Sequence, residues 1–236
     1  MKTLIIIPAY NEQACIENTI REVENCGMDV DYLVVNDCSK DATKDILERM
    51  GANHVSLPVN LGIGGGIQTG YRYAVENGYD IAVQMDGDGQ HDPAYLHAVT
   101  DPVERGELDM CIGSRFINKE GFQSSFMRRL GINILSTLIY VLSGKKVLDV
   151  TSGFRATGKE MTAYFANHYA ADYPEPEAIM SATLNGFKVG EAPVIMEERM
   201  GGVSSIRSFK SAYYMIKVSI ALVINRISIQ KGGSRK

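Results

Sequence analysis

The feature that most narrows the fold is an alternation. Short runs that are apolar on both faces, TLIIIP, DYLVVND, HVSLP and DIAVQMD, are separated by helix-length segments: Glu12 to Asn25, Lys40 to Met50, Ile63 to Glu76, and a further helix after Pro93. A strand with no polar face must be covered on both sides, and intervening helices supply that cover while returning the chain to start a parallel neighbour. The pattern predicts an α/β fold in a single domain, a mostly parallel central sheet with helices on both faces. With 236 residues, 45% apolar and 22% charged, the chain can enclose one sizeable core. Ligands in such sheets bind beyond the carboxyl ends of the strands. Those ends read PAYNE, NDCSKD, PVNLGIGGG and MDGDGQHD, so polar chemistry collects along one edge.

After DMCIGSRF the pattern changes. FMRRLGINILSTLIYVLSGKKVL, within about 124–147, carries Arg128 and Arg129 at one end and Lys145 and Lys146 at the other; SFKSAYYMIKVSIALVINRIS near the C-terminus is similar. Neither has the roughly 18 or more uninterrupted apolar residues of a spanning helix. Apolar stretches with basic margins suit amphipathic helices lying in a lipid interface. The other reading, two ordinary core helices, has to keep Lys210, Lys217 and Arg226 wet. Residues 201–236 contain no Asp or Glu, while Arg207, Lys210, Lys217, Arg226, Lys231, Arg235 and Lys236 are basic. This predicts a catalytic domain over 1–200 and a basic amphipathic C-terminal helix and tail over 201–236, facing a phosphate-rich surface. The interleaved apolar residues fit an anionic membrane leaflet better than DNA. A formal net charge of −4 argues against a broadly basic nucleic-acid-binding surface. Cys15, Cys26, Cys38 and Cys111 are too widely spaced for a zinc site and form no disulfide framework, which fits a reduced compartment. The opening MKTLIIIPAY has too short an apolar run for a signal peptide and reads as a first buried strand.

The stretch AVQMDGDGQHD ends an apolar strand in concentrated negative charge. As a calcium loop it fails, because the sixth and twelfth positions from Asp86 are His91 and His97 instead of Gly and Glu. LGIGGGIQTG fails as a dinucleotide fingerprint, since the third glycine position counted from Gly62 falls on Ile67, and no P-loop lysine follows. Asp86 and Asp88 remain, one glycine apart. Carboxylates that close repel each other unless a cation lies between them, and an all-oxygen donor set favours Mg2+ or Mn2+, which leave coordination positions for phosphate oxygens. Gln90 adds a neutral oxygen. An Asp-Gly surface turn is the plainer alternative, and the position at a parallel strand's carboxyl end weighs against it.

The motifs IIPAYNE, VVNDCSKDAT, NLGIGGGIQTGYRYA, QMDGDGQHDP, GSRF and DVTSGFRA, in that order, resemble those of family 2 inverting glycosyltransferases with the GT-A (Rossmann-like) fold. The branch is the one that includes dolichol-phosphate mannose synthases and bacterial polyprenyl-phosphate glycosyltransferases. The resemblance implies that Pro8, Ala9, Tyr10 and Glu12 line the nucleotide base and ribose and that Asp37 hydrogen-bonds the base; a helix N-cap is the alternative for Asp37. It implies close approach of the nucleotide at Asn60, Gly62 and Gly65, with Asp86 near ribose and metal and Asp88 and Gln90 as direct ligands. Arg115, Arg128, Arg155 and Arg199 resemble arginines that face the donor diphosphate or acceptor phosphate, for which guanidinium forks are suited. Two departures stand out: Ser205 takes the place of a lysine in the mannose synthases, with Arg207 as a substitute charge, and DYPEPEAI brings the acids Asp172, Glu175 and Glu177 to the acceptor region.

The implied activity is metal-dependent transfer of a hexose or N-acetylhexosamine from a nucleotide sugar, a UDP-sugar first, to undecaprenyl or a similar polyprenyl phosphate. It would act at the cytoplasmic membrane face as a peripheral protein, with a small membrane-protein partner or self-association as support. Transfer to a sugar hydroxyl of a lipid-linked or cell-wall polysaccharide, with Asp172, Glu175 or Glu177 as base, is the enzymatic alternative. A non-catalytic nucleotide-sugar-binding module is the alternative of another class.

Overall fold

The computed structural model describes residues 1–197 and 208–232, so Arg199, Ser205, Arg207 and the tail beyond Gly232 lie outside the described residues. Among the described residues seven strands form one sheet: β1 (Thr3–Ala9), β2 (Asp31–Asn36), β3 (His54–Ser56), β4 (Ile81–Gln84), β5 (Met110–Ser114), β6 (Arg155–Gly158) and β7 (Val189–Pro193). Their order is β3-β2-β1-β4-β6-β5-β7. β6 runs antiparallel to β4 and β5, and every other pairing is parallel. The chain winds outward through β2 and β3 on one side of β1 and continues with β4 on the other. The carboxyl ends of β1 and β4 therefore flank the switch point where open α/β sheets bind ligands.

Alternate residues of β1 feed two core layers, as the period of a strand requires. Leu4 and Ile6 pack with Ile67 and Tyr71 of α3 (Gly62–Glu76) and Met161 and Phe165 of α6 (Lys159–Asn167). Ile5 and Ile7 pack with Ile16 and Ile20 of α1 (Ile16–Glu24) and with Leu96 and Val99 of α4 (Leu96–Glu104). Each such fully buried side chain stabilises by roughly 1.5–3 kcal/mol. The glycines of α3 serve this packing: a Cβ at Gly70 would lie 2.2 Å from Ile6 Cγ2, and one at Gly64 would lie 2.0 Å from the backbone oxygen of Ala170. α2 (Thr43–Met50) lies beside α1, and it ends at Gly51, whose φ of 65° provides a left-handed helix cap.

The expected strands and first helices are present, but α1 begins at Ile16, four residues after Glu12. The intervening loop is tied to the loop after β2 and to the start of α2: Asn11 N donates to Ser39 Oγ, Glu12 N to Thr43 Oγ1 and Gln13 N to Asp41 Oδ2. Five of the described elements had not been expected: β5, β6, β7, α6 and α7 (Pro174–Leu184). The two apolar stretches form α5 (Phe126–Ser143) and α8 (Ser208–Gly232), which pack on each other and on α7. Each divides its apolar residues between two sides. Ile132, Leu135 and Ile139 of α5 and Val218 and Leu222 of α8 are buried, while Phe126, Met127, Leu130, Ile134, Ile216, Ile220 and Ile224 are exposed. No described helix is long and apolar enough to cross a membrane.

Candidate active site

The chain ends of β1, β2 and β4 are stitched together around the switch point. Asp37, just past β2, donates its N–H to the Ala9 carbonyl at 2.9 Å. Its buried carboxylate accepts the Leu61 N–H at 2.6 Å, and Asn60 Nδ2 donates to the Asp37 carbonyl at 3.1 Å. Asp37 thus does serve a helix start, but that of α3 and not of the helix that follows it in sequence. Pro8 and Ala9 are buried in β1, whereas Tyr10 is exposed. Gly62 adopts a φ of 77° that favours glycine. Gly65 has a more local reason, since a Cβ there would lie 2.5 Å from Leu61 Cβ.

Beyond β4 the acidic turn is built around Asp86. Gly87 packs against β1, where a Cβ would lie 3.2 Å from the Pro8 carbonyl oxygen. The Asp86 side chain is 32% exposed, while Asp88 is buried and accepts the Gln90 N–H at 3.0 Å. Gln90 Nε2 points to the Glu197 carbonyl at 3.4 Å. The Asp86 carboxylate occupies space that only glycine leaves at position 153: a Cβ there would lie 2.5 Å from Oδ2 and 2.8 Å from Oδ1. His91 is buried under the same turn. Its Nδ1 accepts the Asp86 N–H at 3.0 Å and its ring stacks on Phe154, centroids 5.2 Å apart and planes 20° apart. Burial lowers its pKa to about 4, so the ring is neutral at pH 7.

Among the described residues no group of three or more His, Cys, Asp and Glu side chains converges to form a metal cage. Two carboxylates in a partly open turn, one seated in a glycine-cleared space, suit a hard dication that takes its remaining oxygens from water and phosphate.

The arginines divide. Arg115, directly after β5, is buried, and its fork closes on Asp149, Nε to Oδ2 at 2.6 Å and Nη2 to Oδ1 at 3.1 Å. Asp149 is itself fixed because Glu191 accepts both the Leu148 and Asp149 N–H groups at 2.8 Å. Arg155 is fully buried in β6, donating to the Ser152 and Glu175 carbonyls, and its Nε has no hydrogen-bond partner among the described residues. The guanidinium groups of Arg115 and Arg155 thus face protein groups, where phosphate was expected. Arg128, in the first turn of α5, is exposed and lies within electrostatic reach of Glu175.

The three candidate acids separate as well. Glu175 lies in the electrostatic field of Arg155, Asp86 and Arg128, and burial raises its pKa. Glu177, two positions further along α7 and so about 200° around the helix, lines a separate pocket of about 210 Å³ with His168, Tyr169 and Asn225. Burial, and then the Asp172 charge, raises its pKa. Asp172 is exposed, 3.9 Å from Lys217 Nζ. Of the three, Glu175 is the one brought to Asp86. Sequence reasoning missed His91, Asp149 and Gly153 as parts of the site, although all three lie inside or beside motifs already singled out.

The model of glycosyl transferase family 2 matches residues 4–164, more than half of the chain and the whole of the turn just described. The chain belongs to glycosyl transferase family 2. Among the relatives of this glycosyltransferase is the UDP-N-acetylglucosamine–dolichyl-phosphate N-acetylglucosaminyltransferase of Methanococcus voltae, 30% identical over 94% of this chain and 97% of the relative. The polyprenol monophosphomannose synthase of Mycolicibacterium smegmatis is 29% identical over 98% and 91%. Among solved structures, glucosyl-3-phosphoglycerate synthase of Mycobacterium tuberculosis, crystallised with Mn2+, UDP-glucose and phosphoglyceric acid, superposes with a TM-score of 0.72. It is 19% identical and covers 95% of this chain and 79% of that one, a likeness of fold.

Proposed function

We propose that this glycosyltransferase moves a hexose or N-acetylhexosamine from a UDP-sugar to a polyprenyl phosphate held at the cytoplasmic membrane face, with inversion at the anomeric carbon. The observation that carries the reading is the pairing of the Asp86–Asp88 turn at the sheet's switch point with two helices whose outer sides are apolar. Of two relatives matched along nearly their full length, one is named for dolichyl phosphate as acceptor and the other for polyprenol monophosphomannose as product, which supports the acceptor class.

Asp86 and Asp88, with Gln90 beside them, would hold Mg2+ or Mn2+. When bound, the dication neutralises charge on the donor's diphosphate as it leaves. Pro8, Ala9, Tyr10, Glu12, Asp37 and Asn60 line the crevice for the nucleoside, with Gly62 and Gly65 at its rim. A phosphate oxygen of the acceptor bonds to the anomeric carbon as the bond from that carbon to the diphosphate oxygen breaks, and UDP departs. A phosphate monoester has a second pKa of about 6, so this nucleophile is ionised at neutral pH and needs no strong base. It needs a cation near the lipid. Arg128 meets that need at the start of α5, where the helix's first N–H groups also favour an anion. The role of phosphate contact passes from Arg115 and Arg155 to Arg128, with Arg199, Ser205 and Arg207 as further proposed contacts.

Glu175 supports a second reading. A desolvated carboxyl with raised pKa facing the acidic turn suits a general base for a sugar hydroxyl. Purified protein is incubated with membranes and a panel of radiolabelled nucleotide sugars, and the organic phase is extracted. The lipid-phosphate reading predicts an acid-labile labelled lipid from one donor, formed at near wild-type rate by Glu175→Gln. Label confined to the aqueous phase or to polymer, and lost in Glu175→Gln, would establish the hydroxyl acceptor instead.

A further inference from the structure

We propose that His91 is a positioning residue that sets the Asp86 carboxylate for the dication. The inference rests on the reading that Asp86 and Asp88 hold that ion.

An imidazole nitrogen that accepts a hydrogen bond carries no proton, so acceptance of the Asp86 N–H by Nδ1 at 3.0 Å assigns the ring's single proton to Nε2. That Nε2 lies 3.9 Å from Asp86 Oδ2. One ring thus fixes the backbone of Asp86 and presents an N–H toward its carboxylate. The ring cannot turn freely, because it is stacked on Phe154 and buried. Phe154 follows Gly153, the residue whose missing Cβ gives the carboxylate its place. The His91 backbone also forms an antiparallel bridge with Met196, and Glu197 N donates to the Gln90 carbonyl at 3.0 Å. The acidic turn is therefore held from behind by His91, from one side by Gly153 and Phe154, and along its edge by residues 196 and 197. A doubly protonated ring would turn Nδ1 into a donor and leave the Asp86 N–H without this acceptor.

The test measures Mn2+ binding in the presence of UDP by the loss of the free-ion electron paramagnetic resonance signal, using the full chain. His91→Asn places an acceptor oxygen where Nδ1 stood. His91→Phe keeps the stack and removes the acceptor. Groups behind a metal ligand typically change affinity by about 10–100-fold. His91→Phe is expected to weaken Mn2+ binding at least about tenfold, while His91→Asn stays within about threefold of the wild type. Equal binding by all three proteins, or equal loss in both variants, would overturn the inference. A second measurement needs no variant: 15N spectra of the wild-type histidines at pH 7 should show His91 protonated at Nε2, and a proton on Nδ1 overturns the proposal even if His91→Phe fails to fold. Absence of Mn2+ binding by the wild type would overturn the ion reading and this inference with it, whereas intact wild-type binding without discrimination among variants overturns the inference alone.

Discussion

A Cβ at position 153 would lie 2.5 Å from Asp86 Oδ2, inside van der Waals contact, and the softer partner in that clash is the carboxylate. Gly153→Ala is therefore expected to weaken UDP–Mn2+ binding about tenfold or more, seen by calorimetry, while a thermal melt shows only the modest loss typical of a local clash, about 1–3 kcal/mol. The Arg115–Asp149 pair predicts the reverse. Asp149→Asn leaves a buried guanidinium without its counter-charge, and urea unfolding should show a loss of about 3–5 kcal/mol. His91 adds a pH dependence. Its folded pKa of about 4 lies below the unfolded 6.5 because of burial, with the charges of Asp88, Arg115, Asp149 and Arg155 as smaller opposed influences. Between those values the unfolded chain binds the extra proton, so the stabilising effect is complete above pH 6.5 and is lost as pH falls toward 4. The stability difference between wild type and His91→Asn, measured without metal, should shrink over that window by on the order of 3 kcal/mol. Glu175 and Glu177, whose raised pKa values act in the opposite direction, are common to both proteins and cancel.

Two helices, α5 and α8, each present one apolar side to the core and another to solvent. At roughly 1.5–3 kcal/mol for each large side chain removed from water, an outer side bearing Met127, Ile134, Ile216 and Ile220 is well suited to a lipid boundary. Changing those four to serine should weaken co-sedimentation with anionic vesicles at least about tenfold and leave the melting temperature nearly unchanged, since none packs in the interior. At the same scale, what the sequence discloses and what it hides can be told apart. β1, β2 and β4 were legible because apolar runs between helical segments have few other destinations. β6, with the sequence RATG, was not, because four residues that include Arg and Thr acquire a strand's conformation from pairing with β4 and β5. DGDGQHD was legible as a site because its charge ends a buried strand. The partner of Arg115 was hidden 34 residues away in Asp149, so nothing in the sequence signalled that an arginine read as a phosphate contact also closes on a carboxylate. Glu175 and Glu177 were indistinguishable until the start of α7 at Pro174 fixed which way each points.

Taken as a whole, the molecule holds the acidic turn at the β1–β4 switch point and the outer apolar sides of α5 and α8 in one domain, and Glu175 lies within the electrostatic reach of both Asp86 and Arg128. Under the proposed function, a water-soluble donor would meet a membrane-held acceptor there, and no described helix is long and apolar enough to cross a membrane. The central claim is that a dication at Asp86 and Asp88 joins the protein to the donor's diphosphate. Calorimetric titration of UDP into the protein, with Mn2+ and then with chelator, for the wild type and for the Asp86→Asn and Asp88→Asn double substitution, tests it most directly. UDP affinity should fall at least about a hundredfold, roughly 2.7 kcal/mol, on chelation and equally on substitution, with no further loss when the two are combined. UDP binding that is indifferent both to chelator and to the double substitution would contradict the account.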